Sequence, residues 1–95
     1  MGIAARQKVG FHLREVQQGV TLTMPLSRPL PQIQNGCHEL RIRDSERRVD
    51  WRVIYYIDEV AILVLGVFEK KTNQTPENEK DACRNVLQRY FHARR

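Results

Sequence analysis

Five positively charged side chains lie on or directly after segments that are predicted to be neighbouring β-strands. Arg41 and Arg43 lie on one such segment, Arg52 lies on the next, and Lys70 and Lys71 directly follow a third. Like charges held side by side are destabilising unless an anion compensates them. A phosphate group meets this need, because arginine offers a bidentate fork and lysine a point charge. The pattern predicts a phosphate-binding face, and a solvated basic sheet face is the alternative.

The first two segments show the features of strands that must position these cations. Residues 37–43 alternate, with His38, Leu40 and Ile42 on one side and charged side chains on the other. Residues 49–57 are rich in β-branched and aromatic side chains, which favour strands. Each segment therefore predicts a strand that presents two different faces.

The third segment and the pairing register complete the predicted sheet. Residues 60–68 are almost wholly apolar, which predicts a central strand covered on both faces. Short connections between the three strands predict an antiparallel meander. Arg52 and Tyr56 share one face of the second strand, and a slip of one residue in the pairing would turn Arg52 away from Arg41. The register therefore decides between the phosphate-binding face and the solvated face.

Helices are predicted on either side of the strands. Residues 3–18 repeat apolar side chains at helical spacing, and Gly19 is well placed to end that helix. Residues 20–35 hold three of the four prolines, which favours an extended connection. Near the end, Thr75 fits a helix N-cap and Pro76 the first helical position. The predicted fold class is α+β, a three-stranded antiparallel sheet packed with an N-terminal and a C-terminal helix.

The composition describes one small basic domain. Ninety-five residues have room for a single core, and a formal net charge of +5 favours polyanionic partners. We expect a cytoplasmic protein, because no apolar run reaches the roughly 20 residues of a membrane span and the first residues lack a secretory signal. Cys37 and Cys83 show neither CxxC spacing nor clustered histidines, so free thiols are expected and no metal site.

Three ordered motifs resemble the phage-derived branch of the RelE/HigB toxin superfamily. Residues 36–42 read GCHELRI, residues 51–56 read WRVIYY, and residues 67–76 read VFEKKTNQTP. Residues 25–30, PLSRPL, are similar to the linker of that family. The resemblance covers most of the chain and implies a RelE-like fold.

The resemblance implies the toxin of a type II toxin–antitoxin pair, a ribosome-dependent endoribonuclease (mRNA interferase) that cuts messenger RNA. In the family the 2′-hydroxyl of the RNA attacks the adjacent phosphate without a metal ion or other cofactor. Such a reaction needs positioning, charge stabilisation and proton transfer rather than a protein nucleophile. Carried over by position, Arg41 and Arg52 stabilise the scissile phosphate as catalytic residues, and Lys70 and Lys71 form a catalytic basic pair after the last strand.

The general base is left open by the resemblance. Glu39, beside Arg41, is the best-placed carboxylate, and ion pairing is its alternative role. His92 resembles a functional histidine that some relatives carry near the C-terminus. Three further side chains are expected to contact RNA: Arg43, Tyr56 and Thr72. A core or rim position is the alternative for Tyr56.

The resemblance also implies partners and a departure from the family. The expected partners are a cognate antitoxin, of the helix-turn-helix type, and messenger RNA on the ribosome, with no membrane association. Relatives begin with a β-strand that residues 1–95 lack, so we expect a shortened single domain with an exposed sheet edge that favours a homodimer. A RelE-fold module that binds RNA or the antitoxin without cleavage is the alternative function.

Overall fold

The computed structural model describes residues 1–71 and 74–94, and within them it contains two α-helices and four β-strands. In chain order the elements are α1 (Ile3–Gln17), β1 (Ser27–Pro29), β2 (Cys37–Asp44), β3 (Val49–Ile57), β4 (Ile62–Glu69) and α2 (Glu77–Arg94). The predicted α+β class is confirmed. The strand that the sequence does not predict is β1, whose three residues end on a proline and are too few to show an alternating pattern.

The four strands form one antiparallel sheet in the order β1-β2-β3-β4. In this register Arg41 of β2 lies opposite Arg52 of β3, and Arg52 lies opposite Phe68 of β4. Directly opposed residues share a face of the sheet, since side chains alternate along each strand. Arg41 and Arg52 therefore share one face.

β4 lies at the edge of the sheet, so the prediction of a central strand covered on both faces is wrong. Val64 and Val67 are each 48% exposed, and Val60, just before the strand, is 80% exposed. An apolar run shows that a segment is hydrophobic, but it does not show which elements cover that segment. Here α1 packs mainly over β2 rather than over β4. The homodimer that an exposed edge favours stays a prediction.

The two helices cover opposite faces of the sheet, and each face has its own core. The core beneath α1 is formed by Ala5, Val16, Leu40, Ile42, Val53 and Tyr55. The core beneath α2 is formed by Leu30, Ile33, Cys37, Ile54, Leu65, Cys83 and Leu87. Close packing of α2 needs Gly66, because a Cβ there would lie 3.0 Å from the Cys83 sulfur. Burial of these side chains is the main stabilisation of the fold, at roughly 1.5–3 kcal/mol for each large one.

The ends of the helices follow local chemistry. Gly19, with φ 94°, follows the end of α1 as predicted, and the Val20 N–H donates to the Glu15 carbonyl at 3.0 Å. α2 begins at Glu77, one residue later than the predicted start at Pro76. No helix in the described ranges is long and apolar enough to cross a bilayer.

Asp44 connects the start of α1 to the sheet. It is the last residue of β2 and is only 2% exposed. Its carboxylate accepts hydrogen bonds from the Gly2 backbone N–H at 2.7 Å and from the Trp51 indole N–H at 3.2 Å. These hydrogen bonds compensate for the burial of a charged group.

Candidate functional site

A buried carboxylate, Glu39, is surrounded by arginines on the α2 face of the sheet. Its side chain is 3% exposed, and the Arg28 Nε donates to its Oε2 at 2.6 Å. The Arg52 Nε lies 3.3 Å from Oε1, and the Arg41 Nε lies 4.0 Å from Oε2. We call Arg28, Glu39, Arg41 and Arg52 the arginine cluster.

Strand pairing brings the arginine cluster together. Arg28 lies opposite Glu39 in the β1–β2 pair, and Arg41 lies opposite Arg52 in the β2–β3 pair. The Thr75 hydroxyl, just before α2, donates to Glu39 Oε1 at 3.4 Å. Strands β1, β2 and β3 and the segment before α2 therefore meet at one carboxylate.

Sequence reasoning missed Arg28 and Thr75 as members of this site. Arg28 lies in a proline-rich segment, where no periodicity marks a strand or a face. Thr75 carries a local signal for a helix N-cap, but its hydroxyl donates to Glu39. The PLSRPL motif at residues 25–30 is the one sequence signal that includes Arg28.

The arginine cluster holds more positive than negative charge, with three guanidinium groups around one carboxylate. Burial lowers the pKa of Arg52, the charge of Glu39 acts in the opposite direction, and the neighbouring Arg41 lowers it again. The Nε of Arg41 is buried and has no hydrogen-bond partner in the described part of the chain. An anion placed against Arg41 and Arg52 would relieve the repulsion between these two cations.

Lys70 extends this basic face by one position. Its backbone N–H donates to the Asp50 carbonyl at 2.7 Å, which continues the β3–β4 register one residue past the Trp51–Glu69 pair. By strand alternation Lys70 therefore lies on the same face as Arg52. Arg43 also lies on this face, but it is 53% exposed and its Nη1 is 3.3 Å from Asp50.

Other predicted site residues lie beside this face or outside it. Lys71 is exposed just beyond Lys70. Tyr56 shares the face of Arg52, but it is half-buried and packs edge-on against Phe91, with ring centroids 5.6 Å apart. Thr72 lies outside the described residues. The roles of all these side chains in RNA binding stay predictions.

His92 is not brought to the arginine cluster. It is exposed near the end of α2, where Tyr90 and Arg94 contact Asp58 in the turn between β3 and β4. The cluster contacts the opposite end of α2 through Thr75, and a helix of 18 residues is about 27 Å long. His92 therefore cannot reach an anion that is bound at Arg41 and Arg52.

The remaining reactive side chains offer little nucleophilic or metal-binding chemistry. Cys37 and Cys83 are both buried free thiols, as the sequence predicts. Burial raises the pKa of each thiol to about 11, which keeps both protonated at neutral pH. Within residues 1–71 and 74–94, no three histidine, cysteine or acidic side chains converge as metal ligands.

The fold and the site define a class of small α+β proteins in which an arginine-rich site lies on the face of the sheet that the C-terminal helix covers. Residues 2–88 match the family described as phage derived protein Gp49-like (DUF891). The chain belongs to this family, which is associated with toxin–antitoxin systems. No curated protein and no solved structure gives a significant match.

Proposed function

We propose that the chain is the toxin of a type II toxin–antitoxin system, of the RelE/HigB type, and that it cuts messenger RNA on the ribosome. The observation that carries this proposal is the pair Arg41 and Arg52, which lie directly opposite each other on neighbouring strands, with their Nε atoms 4.0 Å and 3.3 Å from the buried Glu39. Membership of a family associated with toxin–antitoxin systems supports the toxin assignment.

The proposed reaction is attack of the RNA 2′-hydroxyl on the adjacent phosphorus, which leaves a 2′,3′-cyclic phosphate and a 5′-hydroxyl. Negative charge grows on the phosphoryl oxygens in the transition state, where Arg41 and Arg52 donate hydrogen bonds to it. The buried charge of Glu39 holds both cations on this face before the RNA binds, which reduces the reorganisation that the reaction needs. Lys70 and Lys71 add charge along the same RNA strand and steer it to the site.

Glu39 is a positioning residue in this proposal. Its two oxygens already accept from Arg28 and Thr75 and pair with Arg52, and its side chain is 3% exposed. A carboxylate in this environment directs the arginines, whereas a general base must reach the 2′-hydroxyl of the substrate.

One feature favours a second function, that of a RelE-fold module that binds RNA or the antitoxin without cleavage. Neither predicted base stands free at the arginine cluster, because Glu39 is engaged and His92 lies at the far end of α2. A cleavage assay separates the two functions.

The test is a translating extract with a defined messenger RNA, in which newly formed 5′-hydroxyl ends are mapped. We expect the wild type to cut translated RNA, and Arg41→Ala to slow cutting by roughly 10²–10³-fold, as for the loss of one donor to a transition state. Arg6→Ala is the matched control, since it removes the same charge from the exposed side of α1. Circular dichroism confirms that each variant is folded.

Two results would contradict the endoribonuclease proposal. An inactive wild type that still binds RNA would favour the binding module. Equal slowing by Arg6→Ala and Arg41→Ala would show that general positive charge, and not the arginine cluster, supports the activity.

We further propose that a cognate antitoxin neutralises the toxin in the cytoplasm by covering the arginine cluster. A basic face of this kind fits an acidic partner segment, because charge complementarity steers association. Under this proposal Arg41→Ala weakens antitoxin binding, which calorimetry measures, and Arg6→Ala does not.

A further inference from the structure

The two edges of the sheet are unequally protected. β1, at one edge, has three residues and ends on Pro29, which lacks a backbone N–H. β4, at the other edge, has eight residues and contains no proline. An edge strand presents a row of free backbone N–H and C=O groups that can pair with another chain. Within residues 1–71 and 74–94, β4 is therefore the one long edge that can accept a further strand.

Two exposed valines form an apolar strip along β4. Val67 lies opposite Val53 and Val64 lies opposite Tyr55, and both of these partners belong to the core beneath α1. Directly opposed residues share a face, so both valines lie on the α1 face of the sheet. Each is nevertheless 48% exposed, because α1 packs mainly over β2. A strand added at this edge would cover the strip.

The backbone groups of the same two valines point away from the sheet. The Lys70 N–H donates to β3, so by alternation the backbone of Val67 faces away from β3. The β3–β4 register shifts between Ile54 and Tyr55, which leaves one extra residue in β4 between Val64 and Val67. This bulge keeps Val64 on the same face as Val67, and its backbone faces outward as well. The two valines therefore offer both apolar surface and backbone groups to a partner strand.

The charges along this edge favour a second copy of the chain as the partner. Glu59 lies in the turn before β4 and Lys71 lies just after its end, and both are exposed. When two copies of β4 pair antiparallel, Glu59 of each copy comes close to Lys71 of the other. Parallel pairing would bring like charges together, which is unfavourable. β4 is therefore complementary to itself in the antiparallel direction.

We propose that two copies of this chain pair antiparallel through β4, with Val64 of each copy opposite Val67 of the other, and so join their four-stranded sheets into one. The two-fold axis is perpendicular to the sheet, so both arginine clusters lie on the same side of the dimer. The pairing occupies both β4 edges, and the short β1 edges that remain stop association at two copies. This inference does not depend on the proposed cleavage of RNA.

Sedimentation velocity of the full chain over a range of concentrations tests the association. We expect a reversible conversion of the 11.2 kDa monomer into a particle of twice that mass, with modest affinity because one strand pair buries little area. Val64→Lys should weaken the dimer at least about 10-fold, since it places a charge in the middle of the edge. Val20→Lys is the matched control, because Val20 is 44% exposed in the connection after α1.

Three results of this experiment would overturn the proposal. A monomer at every concentration would leave the edge to a strand of another protein. A particle larger than a dimer would show that association does not close at two copies. Equal weakening by Val64→Lys and Val20→Lys, in variants that circular dichroism shows to be folded, would place the contact elsewhere.

The direction of pairing is tested by exchanging charges. Glu59→Lys should weaken the dimer, because it brings a lysine close to Lys71 of the other copy. The double variant Glu59→Lys, Lys71→Glu should restore the affinity, which sedimentation velocity measures at low salt. A double variant as weak as Glu59→Lys alone would contradict antiparallel pairing.

The register is tested by disulfide cross-linking with oxidised glutathione. Cys37 and Cys83 are buried, so introduced surface thiols react first. We expect a mixture of Val64→Cys and Val67→Cys chains to form cross-linked dimers. Val64→Cys alone should form few, because its two copies then lie three residues apart along the strand, roughly 10 Å, which is too far for a disulfide. Equal cross-linking of the mixture and of Val64→Cys alone would overturn the register.

Discussion

At the scale of single residues, the side chain that organises the site is an acid rather than a base. Glu39 lies within 4.0 Å of three arginine Nε atoms, and it accepts a hydrogen bond from Arg28 and forms an ion pair with Arg52. Arg52 is 7% exposed, so its charge depends on this partner. Stability and the proposed function therefore rely on the same carboxylate.

Truncation of Glu39 should be strongly destabilising. Glu39→Ala leaves the Arg52 charge buried beside Arg41, and the loss of one partner from a buried ion pair costs about 3–5 kcal/mol. Urea denaturation measures the free energy of unfolding. The control is Asp50→Ala, because the Arg43–Asp50 pair is exposed on both sides and such pairs contribute at most about 1 kcal/mol. Equal losses in the two variants would contradict the importance of the buried pair.

At the scale of elements, each helix is tied to the sheet by an acidic side chain as well as by its apolar face. Asp44 of β2 accepts from the Gly2 backbone just before α1. Asp58, in the turn after β3, accepts from Tyr90 and Arg94 near the end of α2. The hydrogen bonds from Gly2 and Trp51 to Asp44, and those from Tyr90 and Arg94 to Asp58, hold the pKa of both carboxyls below the ordinary 3.8.

The attachment of α1 should depend on pH. Because the folded-state pKa of Asp44 is lowered, its contribution to stability is present above the unfolded value of 3.8 and is lost as the pH falls through the folded value. We expect the urea midpoint of the wild type to fall as the pH drops below 3.8. Asp44→Asn should lower the urea midpoint at neutral pH and make its dependence on pH less steep. The pH dependence that remains in this variant should come from Asp58. An equally steep fall in Asp44→Asn would contradict this role.

At the scale of the whole molecule, the uneven placement of charge matters more than its sum. The chain carries a formal net charge of +5, and the arginine cluster and Lys70 lie on the α2 face of the sheet. A phosphate backbone bound there releases counterions, so affinity depends on salt.

The salt dependence of RNA affinity should indicate how many cations of this basic face contact phosphates. With Arg41, Arg52, Lys70 and Lys71 on phosphates, log K against log salt should have a slope of about −3 for a single strand. Arg41→Ala should make the slope shallower by about 0.7, and Arg6→Ala should leave it unchanged. Fluorescence anisotropy with a short labelled RNA measures both slopes. An equal change in the two variants would indicate a diffuse basic surface.

Local pattern determined much of this protein. The α+β class, α1 and the faces of β2 and β3 follow from the periodicity of apolar side chains, and α2 follows from the start signals at Thr75 and Pro76. Both kinds of signal depend on near neighbours in the chain. That Cys37 and Cys83 are free thiols was also predictable, because their spacing fits no CxxC pair. The two elements that local pattern misjudged are β1, which is three residues long, and β4, whose edge position depends on the order of strands.

Only the tertiary structure decided how the site is assembled. The pairing of Arg41 with Arg52 depends on a strand register that either strand alone leaves open. Arg28 and Thr75 reach Glu39 across 11 and 36 residues of chain, through strand pairing and helix packing. The sequence by itself predicted a basic face. Only long-range packing surrounded the buried Glu39 with Arg28, Arg52 and Thr75, because these contacts depend on which elements meet in space.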